Sequence, residues 1–341
     1  MQLPPSEGSL RPTLSVVVPL FDEADVVYEL HRRLKYAMDG LGLDWEVVYV
    51  NDGSRDTTLQ QLETLRASAP EVALVNLSRN FGKEIATTAG LDHARGQAVI
   101  VMDGDLQDPP ELIPKLVAAW HDGADMVYAQ RCMRQGETWL KKVTASLFYR
   151  LMRLLGDVPL PSDVGDFRLM SRRVVDALVQ LREQHRFMKG LFAWVGFPTV
   201  AVTYVREPRA AGKTKWNYWK LWNLAIEGIT SFSVAPLKLA TYLGLATAVF
   251  AALFAGQLVV RTLLFGNPVA GYPSLMAVVL FLGGVQLITL GIIGEYLGRV
   301  FNETKQRPLY LVERYAPSQA AGGIDPAAVR PNGILAKPFT A

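Results

Sequence analysis

Two aspartates at the end of a short apolar run have the spacing of a metal site. Asp103 and Asp105 lie at the end of the segment 98–103 (AVIVMD), which is typical of a buried strand. Alternate residues of a strand face the same side, so the two carboxylates would lie close together and repel each other if the strand continues to Asp105. Mg²⁺ or Mn²⁺ relieves such repulsion and is usually held by one or two protein carboxylates together with substrate phosphates. The pair predicts a metal–diphosphate site, although an isolated Asp-x-Asp also arises by chance in loops.

Further polar residues follow the neighbouring candidate strands. Asp22 comes shortly after the apolar segment 14–20, and the motif NDGS (51–54) ends the next one. The residues of NDGS also make an ordinary turn with a helix cap, so the motif alone leaves both interpretations open. Arg79 and Lys83 follow the third segment, where a basic residue could meet a phosphate or simply face water.

The elements that must position these residues alternate between strand and helix. This alternation, with almost continuously apolar strands, predicts an α/β fold with a mostly parallel, Rossmann-like sheet covered on both faces. In such sheets ligands bind at the carboxyl ends of the strands, where the strand order reverses. The predicted strands are 14–20, 46–52, 72–78, 98–103 and 124–130, and the predicted helices lie near 24–40, 57–68, 83–94 and 110–121.

The composition excludes several classes of protein. Of the 341 residues, 50% are hydrophobic and 20% are charged, and the formal net charge is +3. Ample apolar surface and a small net charge argue against a disordered chain, and the weak basic excess argues against a nucleic-acid partner. The single cysteine, Cys132, excludes a disulfide scaffold and a metal site made of several cysteines.

Charges are almost missing from one long stretch. Residues 239–298 contain only two charged side chains, Arg261 and Glu295. The apolar runs 237–264 and 273–297 each exceed the roughly 20 residues that span a bilayer core. They predict a transmembrane hairpin, and the alternative is a very apolar pair of buried helices.

The basic residues near these runs predict an orientation. Lysines and arginines cluster before the first run and after the second, and the connecting loop has none beyond Arg261 at the end of the first run. We therefore expect a multi-pass protein of the inner membrane, with the α/β part and both termini in the cytoplasm. The polar, proline-rich N-terminus has no apolar core of a signal peptide.

Two more segments have the pattern of helices at a membrane surface. Segment 138–156 combines helically spaced apolar residues with four basic ones, and segment 216–228 contains three tryptophans and a tyrosine. An ordinary core-facing helix is the alternative for the first of them. In the loop 212–216 (GKTKW), Lys213 and Lys215 could close on bound phosphates or contact anionic lipid.

These patterns divide the chain into five expected parts. The tail after Tyr315 is rich in Ala, Pro and Gly and predicts disorder. The pair Gly283-Gly284 permits close approach of two helices, which allows a homo-oligomer. The expected parts are a flexible N-terminus (1–13), the α/β domain (14–210), a juxtamembrane loop and interfacial helix (211–235), two transmembrane helices (236–300) and a C-terminal tail (301–341).

The motifs at the strand ends together resemble one enzyme family. VVVPLFDEAD, YVNDGSRDTT, LSRNFGKEIATTAGL and VMDGDLQDPPE occur in the order found in family 2 glycosyltransferases with the GT-A fold. The segments SDVGDFRLMSRRVVDAL, RFMKGLFAWVGF and 206–239, together with the hairpin, are similar to the polyprenyl-phosphate glycosyltransferase branch. The resemblance covers nearly the whole chain and does not specify the sugar.

The resemblance implies roles for the matching residues. It places Pro19, Asp22 and Asp52 in the nucleotide pocket, with Asp52 reaching the base. It assigns the metal and donor diphosphate to Asp103 and Asp105, with Asp105 also counted as catalytic. An acidic residue beside the acceptor corresponds to Asp166, as a base or as an orienting group. The remaining candidates are Arg79, Lys83, Gln107, Lys213 and Lys215 for the donor, and Arg131, Lys142, Ser146 and Arg206 for the acceptor phosphate.

The reaction implied by the resemblance is sugar transfer with inversion. The donor would be a nucleotide-sugar, UDP being the expected nucleotide, and the acceptor a polyprenyl phosphate such as undecaprenyl or dolichyl phosphate at the cytoplasmic leaflet. The same fold acting on a hydroxyl of a glycolipid or polysaccharide is the alternative. The QxxRW motif of processive synthases is not found, and QHRF (184–187) is only a partial match, which argues against polymer synthesis. Asp22-Glu23-Ala24 stands where the branch more often has Asn-Glu-Glu.

Overall fold

A computed structural model of the chain describes residues 12–131, 164–204, 235–265 and 271–319. The chain divides into two compact units. The first, here called the sheet unit, comprises Met1–Tyr149, Leu160–Tyr218 and Pro308–Ala341; the second, the hairpin unit, comprises Arg150–Pro159 and Trp219–Arg307. The chain therefore returns to the sheet unit after it has built the hairpin.

The described part of the sheet unit forms one eight-stranded sheet. Its strands are β1 (Leu14–Leu20), β2 (Trp45–Asn51), β3 (Val72–Leu77), β4 (Ala98–Val101), β5 (Met126–Arg131), β6 (Val164–Ser171), β7 (Thr199–Tyr204) and β8 (Val312–Ala316). They lie in the order β7-β5-β6-β4-β1-β2-β3-β8. The β1–β2, β1–β4, β2–β3 and β5–β7 pairs are parallel, whereas β6 and β8 run antiparallel to their neighbours. The predicted, mostly parallel α/β sheet is confirmed.

Helices connect and cover these strands. Strands β1 to β4 are buried almost throughout, as expected for valine-rich strands covered on both faces. The helices of the sheet unit are α1 (Val27–Asp39), α2 (Thr58–Ser68), α3 (Lys83–His93), α4 (Ile113–His121, after a 3₁₀ turn at Pro110–Leu112), α5 (Arg172–Gln180) and α6 (Met188–Trp194).

Helix α1 shows how the sequence selects a buried face. Val27, Leu30, Leu34 and Met38 recur at spacings of three or four residues and are fully buried. Burying a side chain of this size contributes about 1.5–3 kcal/mol relative to leaving it in water. Packing of this apolar stripe therefore fixes how α1 lies on the sheet.

The strand order reverses at β1. After β1 the chain adds β2 and β3 on one side, and then returns to add β4 on the other side. A crevice forms at the carboxyl ends of strands where the order reverses, and ligands of such sheets bind there. The fold thus brings the residues that follow β1 and β4 to one edge.

The segment after the hairpin contains a strand that the sequence reasoning treated as tail. β8 adds to the outer edge of β3. The Tyr310 hydroxyl donates to Asp92 at 2.6 Å, and the Ser318 hydroxyl donates to Glu46 at 2.9 Å. The expected disorder after Tyr315 is thereby corrected for residues 316–319, and the rest of the tail lies outside the described residues. The sequence VERYA carries little apolar signal because most of this edge strand is exposed.

The hairpin unit contains the helices α7 (Ala235–Phe265) and α8 (Tyr272–Thr304). Within the described residues, these two helices are long and apolar enough to cross a membrane, with mean hydropathies of 1.7 over Pro236–Phe254 and 1.4 over Phe281–Thr304. At 1.5 Å per residue, α7 is about 46 Å long, against about 30 Å for a hydrocarbon core. Large apolar side chains such as Leu263 and Leu287 are exposed along them. The predicted runs 237–264 and 273–297 fall inside these helices.

Candidate active site at the strand ends

Carboxylates from distant parts of the chain meet beyond β4. Asp103 follows this strand, and Asp166 belongs to its antiparallel neighbour β6. Val101 faces Arg168 in the ladder, so β6 carries Asp166 alongside the residues just after β4. The sheet register, rather than proximity in sequence, therefore creates this acidic pair.

Lys83, the first residue of α3, joins the two acids. Its Nζ lies 2.6 Å from Oδ1 of Asp103 and donates a hydrogen bond to Oδ2 of Asp166. Burial opposes the charge of the ammonium, but the two carboxylates outweigh that effect and hold the pKa of Lys83 well above its ordinary value. The side chain is still 44% exposed, so that a ligand can reach it.

The two acids respond differently to their surroundings. Burial raises the pKa of Asp103, and the opposing charge of Lys83 only partly offsets it. Burial would also raise the pKa of Asp166, but the charges of Lys83 and Lys189 lower it well below its ordinary value. Oδ1 of Asp166 is buried and has no hydrogen-bond partner among the residues that the structure describes. Such an oxygen can accept a hydrogen bond from a bound substrate.

Glu84 is a further acid near this cluster, and the sequence reasoning missed it. Its Oε2 accepts the backbone N–H of Met188, the first residue of α6, at 3.2 Å. Burial and the negative charge of Asp166 raise the pKa of Glu84 to about 7. The available signal was its place beside Lys83, but an acid in the first turn of a helix is ordinary.

The loop after β4 departs from the geometry that the sequence predicts. The strand ends at Val101, so Asp103 and Asp105 do not sit at alternating strand positions. Asp105 lies on a turn, where its Oδ1 accepts the backbone N–H of Gln107 at 3.2 Å. Leu106 has a φ of 58°, and this conformation turns the chain sharply between Asp105 and Gln107. Both aspartates remain partly exposed, and the described residues contain no cluster of three or more metal-ligating side chains.

Asp52 has a different environment. Its Oδ1 accepts the N–H of Phe81 at 2.7 Å, and its Oδ2 accepts the N–H of Gly82 at 2.9 Å. Burial raises the pKa of Asp52 against these two hydrogen bonds. The carboxylate therefore clamps the loop that leads into α3, in addition to any contact with a nucleotide.

The motif NDGS also locks the turn after β1. The N–H of Asp22 donates to Oγ of Ser54 at 3.0 Å, and Oδ1 of Asp22 accepts the N–H of Arg55 at 2.7 Å. Gly53 has a φ of 65°, and a Cβ there would lie 2.4 Å from the carbonyl carbon of Arg79. A glycine is therefore required where the two loops touch. Pro19 lies nearby, at the sixth position of β1.

The remaining predicted residues are less closely grouped. Arg79 is exposed; its guanidinium donates to the carbonyl of Asn80 and lies 4.0 Å from the centre of the Phe81 ring. Arg131 is the last residue of β5, where it pairs with Tyr204, the last residue of β7. Outside the described residues lie Lys142, Ser146, Arg206, Lys213 and Lys215, and likewise the predicted interfacial segments 138–156 and 216–228.

The fold and the site define a class. A mostly parallel α/β sheet with acids after β1, β2 and β4 is the arrangement of a GT-A glycosyltransferase. Residues 15–179 match the model of glycosyl transferase family 2, and residues 235–300 match that of the GtrB C-terminal hairpin.

Relatives place the chain more narrowly. An uncharacterized glycosyltransferase of Synechocystis is 54% identical, over 88% of this chain and 94% of the relative. The SfII prophage-derived bactoprenol glucosyl transferase of Shigella flexneri is 48% identical, over 88% of this chain and 97% of the relative. The chain therefore belongs to glycosyltransferase family 2 and is a glycosyltransferase.

Similarity to solved structures is lower. A mannosyltransferase from Pyrobaculum calidifontis, solved with GDP-Man and Mn²⁺, aligns with a TM-score of 0.45 and 18% identity, over 87% of this chain and 88% of that chain.

Proposed function

We propose that this enzyme transfers a sugar from a nucleotide-sugar to a polyprenyl phosphate, with inversion at the sugar carbon. The observation that supports this most directly is the combination of the Lys83–Asp103–Asp166 cluster with an apolar two-helix hairpin in one chain. The match to the bactoprenol glucosyl transferase of Shigella flexneri, at 48% identity, covers 88% of this chain. A lipid acceptor explains why a glycosyltransferase unit carries a membrane anchor.

In the proposed reaction an acceptor phosphate oxygen forms a bond to the anomeric carbon of the sugar. The bond from that carbon to the donor diphosphate breaks, and the nucleoside diphosphate leaves with the electron pair. A phosphate monoester is already anionic near neutral pH, since its second pKa is about 6. The acceptor therefore needs orientation more than it needs deprotonation.

Asp166 is suited to orienting a substrate hydroxyl rather than to removing a proton. Its contact with Lys83 keeps the carboxylate ionised, and a carboxylate with a lowered pKa is a poor proton acceptor. The buried Oδ1 can accept a hydrogen bond from a substrate hydroxyl. Of the two roles that the sequence leaves open, the surroundings of Asp166 support the orienting role.

A divalent cation fits the chemistry of the loop after β4. Asp103 and Asp105 offer hard, partly exposed oxygen ligands, and two protein carboxylates completed by substrate phosphates suit Mg²⁺ or Mn²⁺. When bound, the cation would stabilise the charge that develops on the leaving diphosphate. Lys83 contacts Asp103, one of these two acids, and can neutralise phosphate charge from the protein side.

The anchor supports a location. The chain leaves the sheet unit before the hairpin and rejoins it afterwards. If each helix of the hairpin crosses the membrane once, the chain returns to the side that it left. The basic residues that flank the hairpin favour the cytoplasmic side of the inner membrane for the sheet unit. We propose this side, because cytoplasmic nucleotide-sugars are then directly accessible.

Radiolabelled transfer tests the proposal. The full chain in detergent, given UDP-[¹⁴C]glucose, Mn²⁺ and undecaprenyl phosphate, should form a labelled lipid that releases its sugar in mild acid. A parallel panel of nucleotide-sugars identifies the donor. The proposal is wrong if label accumulates only in an acid-stable glycolipid, because the acceptor would then be a hydroxyl group.

A further inference from the structure

A row of polar groups crosses the sheet from its outer edge to the NDGS turn. The carboxylate of Glu313 on β8 accepts a hydrogen bond from Nδ2 of Asn76 at 2.8 Å. Oδ1 of Asn76 accepts from Nδ2 of Asn51 at 2.7 Å, and Oδ1 of Asn51 accepts the N–H of Ser54 at 3.4 Å. The row therefore links the C-terminal strand to the loop beside the predicted nucleotide pocket.

The sheet register aligns these groups. Asn51 and Asn76 face each other across β2 and β3. On the other side of β3 the register shifts, so that Arg314 faces Asn76 while Val312 faces Leu77. Glu313 lies between those two pairs, and such an irregularity re-aims a side chain. Its carboxylate reaches Asn76 for this reason.

Burial makes the hydrogen bonds of the two amides obligatory. Asn51 is 1% exposed and Asn76 is 6% exposed. An amide that is buried without a partner costs about 1–3 kcal/mol. Each amide must therefore use the neighbours that this row provides.

The chemistry of Glu313 fixes the direction of the whole row. An ionised carboxylate can only accept hydrogen bonds, so it selects the NH₂ group of Asn76. The carbonyl oxygen of Asn76 then faces Asn51 and selects its NH₂ group. The carbonyl oxygen of Asn51 then faces the N–H of Ser54. Only this orientation of the Asn51 amide lets it accept a hydrogen bond from that N–H. A donor at position 313 would reverse both amides, and the NH₂ group of Asn51 would then face the N–H of Ser54.

We propose that Glu313 is a positioning residue for the donor-nucleotide pocket. It orients Asn76 and Asn51, and through them it holds the turn that carries Asp52. Ser54 connects this turn to the turn after β1, because its hydroxyl accepts a hydrogen bond from the N–H of Asp22. This inference rests on the proposed function, since the pocket is the one predicted for the nucleotide-sugar.

Two variants of Glu313 test the direction of the row. Glu313→Lys offers donors only, whereas Glu313→Gln can still present a carbonyl oxygen to Asn76. Arg314→Gln, on the same strand as Glu313, is the matched control, because it removes only an exposed ion pair with Glu63 of α2. Hydrogen–deuterium exchange of the peptide 51–58 should be faster in Glu313→Lys, and like wild type in the other two.

Kinetics on the full chain in detergent give the second readout. We expect Glu313→Lys to raise the donor KM about threefold to tenfold, as for one lost hydrogen bond, with kcat within about twofold. Glu313→Gln should restore the wild-type KM. An unchanged exchange rate in Glu313→Lys would refute the row, and faster exchange with an unchanged KM would refute its role in the pocket. A wild-type chain that exchanges as expected but transfers no sugar would instead contradict the proposed function.

Discussion

Asp52 and Asp103 both lie just beyond buried parallel strands, yet the protein holds them in different ways. Both oxygens of Asp52 accept backbone N–H groups, and the surrounding turn is bonded to the turn after β1. Asp103 contacts the side-chain ammonium of Lys83, on a loop that remains partly exposed. A carboxylate saturated by backbone groups shapes a loop, whereas one balanced by a side-chain cation can exchange that partner for a ligand.

The largest expected effect is on activity at the exchangeable site. Asp103→Asn and Asp105→Asn should each lower kcat/KM by at least about a hundredfold, because they weaken stabilisation of the leaving diphosphate. The thermal midpoint should stay within about 2 °C of wild type, since asparagine keeps one acceptor oxygen, which can face Lys83 at position 103 and the N–H of Gln107 at position 105. Glu111→Gln, an acid of an exposed ion pair close to the same loop, is the control and should transfer sugar normally. Retained turnover in both aspartate variants would show that Asp103 and Asp105 do not bind the ligand, so that Asp103 would no longer differ in role from Asp52.

Asp52→Asn should lower stability, which the Asp103 and Asp105 variants leave almost unchanged. An amide has one acceptor oxygen where the carboxylate has two, so its NH₂ group faces one of the N–H groups of Phe81 and Gly82. We expect a loss of about 1–3 kcal/mol in stability, measured as a lower thermal midpoint of the full chain. A midpoint equal to that of Asp103→Asn would show that the hydrogen bonds of Asp52 do not hold the loop.

Replacing Lys83 by methionine should have an intermediate effect that depends on pH. Without the ammonium, the pKa values of Asp103 and Asp166 rise, because two partly buried carboxylates then repel each other with no cation between them. Stability that a raised pKa provides is lost as the pH increases, so the deficit relative to wild type should grow between pH 5 and pH 7.5. Thermal scans at both pH values measure it, with exposed Lys115→Met as the control. Equal deficits at the two pH values would argue against charge balance as the role of Lys83.

The smallest effect concerns Glu84. Its pKa is raised from 4.5 to about 7, so its contribution to stability is complete below the unfolded value and is lost as the pH rises through about 7. Glu84→Gln keeps an acceptor for the N–H of Met188 but does not titrate. We therefore expect its thermal midpoint to fall by a few degrees less than that of wild type between pH 5 and pH 7.5. Parallel curves for the two proteins would place the pKa of Glu84 near its ordinary value.

Local sequence was sufficient for the parts of the fold that repeat a simple pattern. Strand β1 was predicted at 14–20 and is found there, because valine-rich runs between polar turns have few other stable structures. The predicted hairpin runs lie within α7 and α8 for a similar reason, since long uncharged stretches favour helices in an apolar environment. These features depend on neighbours in sequence.

The site depended on contacts that no local pattern contains. Asp166 reaches Asp103 through the antiparallel register of β6, and Glu84 reaches Met188 across 104 residues. Asp103 and Asp105 would alternate on a strand only if that strand continued to Asp105, and this condition is not met because β4 ends at Val101. Strand β8 was missed because a solvated edge strand has no apolar periodicity.

The position of β8 also sets the order in which a newly made chain can finish its sheet. The ribosome synthesises α7 and α8 before residues 312–316. The outer edge of β3 therefore stays unpaired with β8 until both apolar helices have been made. During that interval its backbone N–H and C=O groups are open to other strands. A nascent chain that stalls within the hairpin therefore carries an unfinished sheet with an open edge.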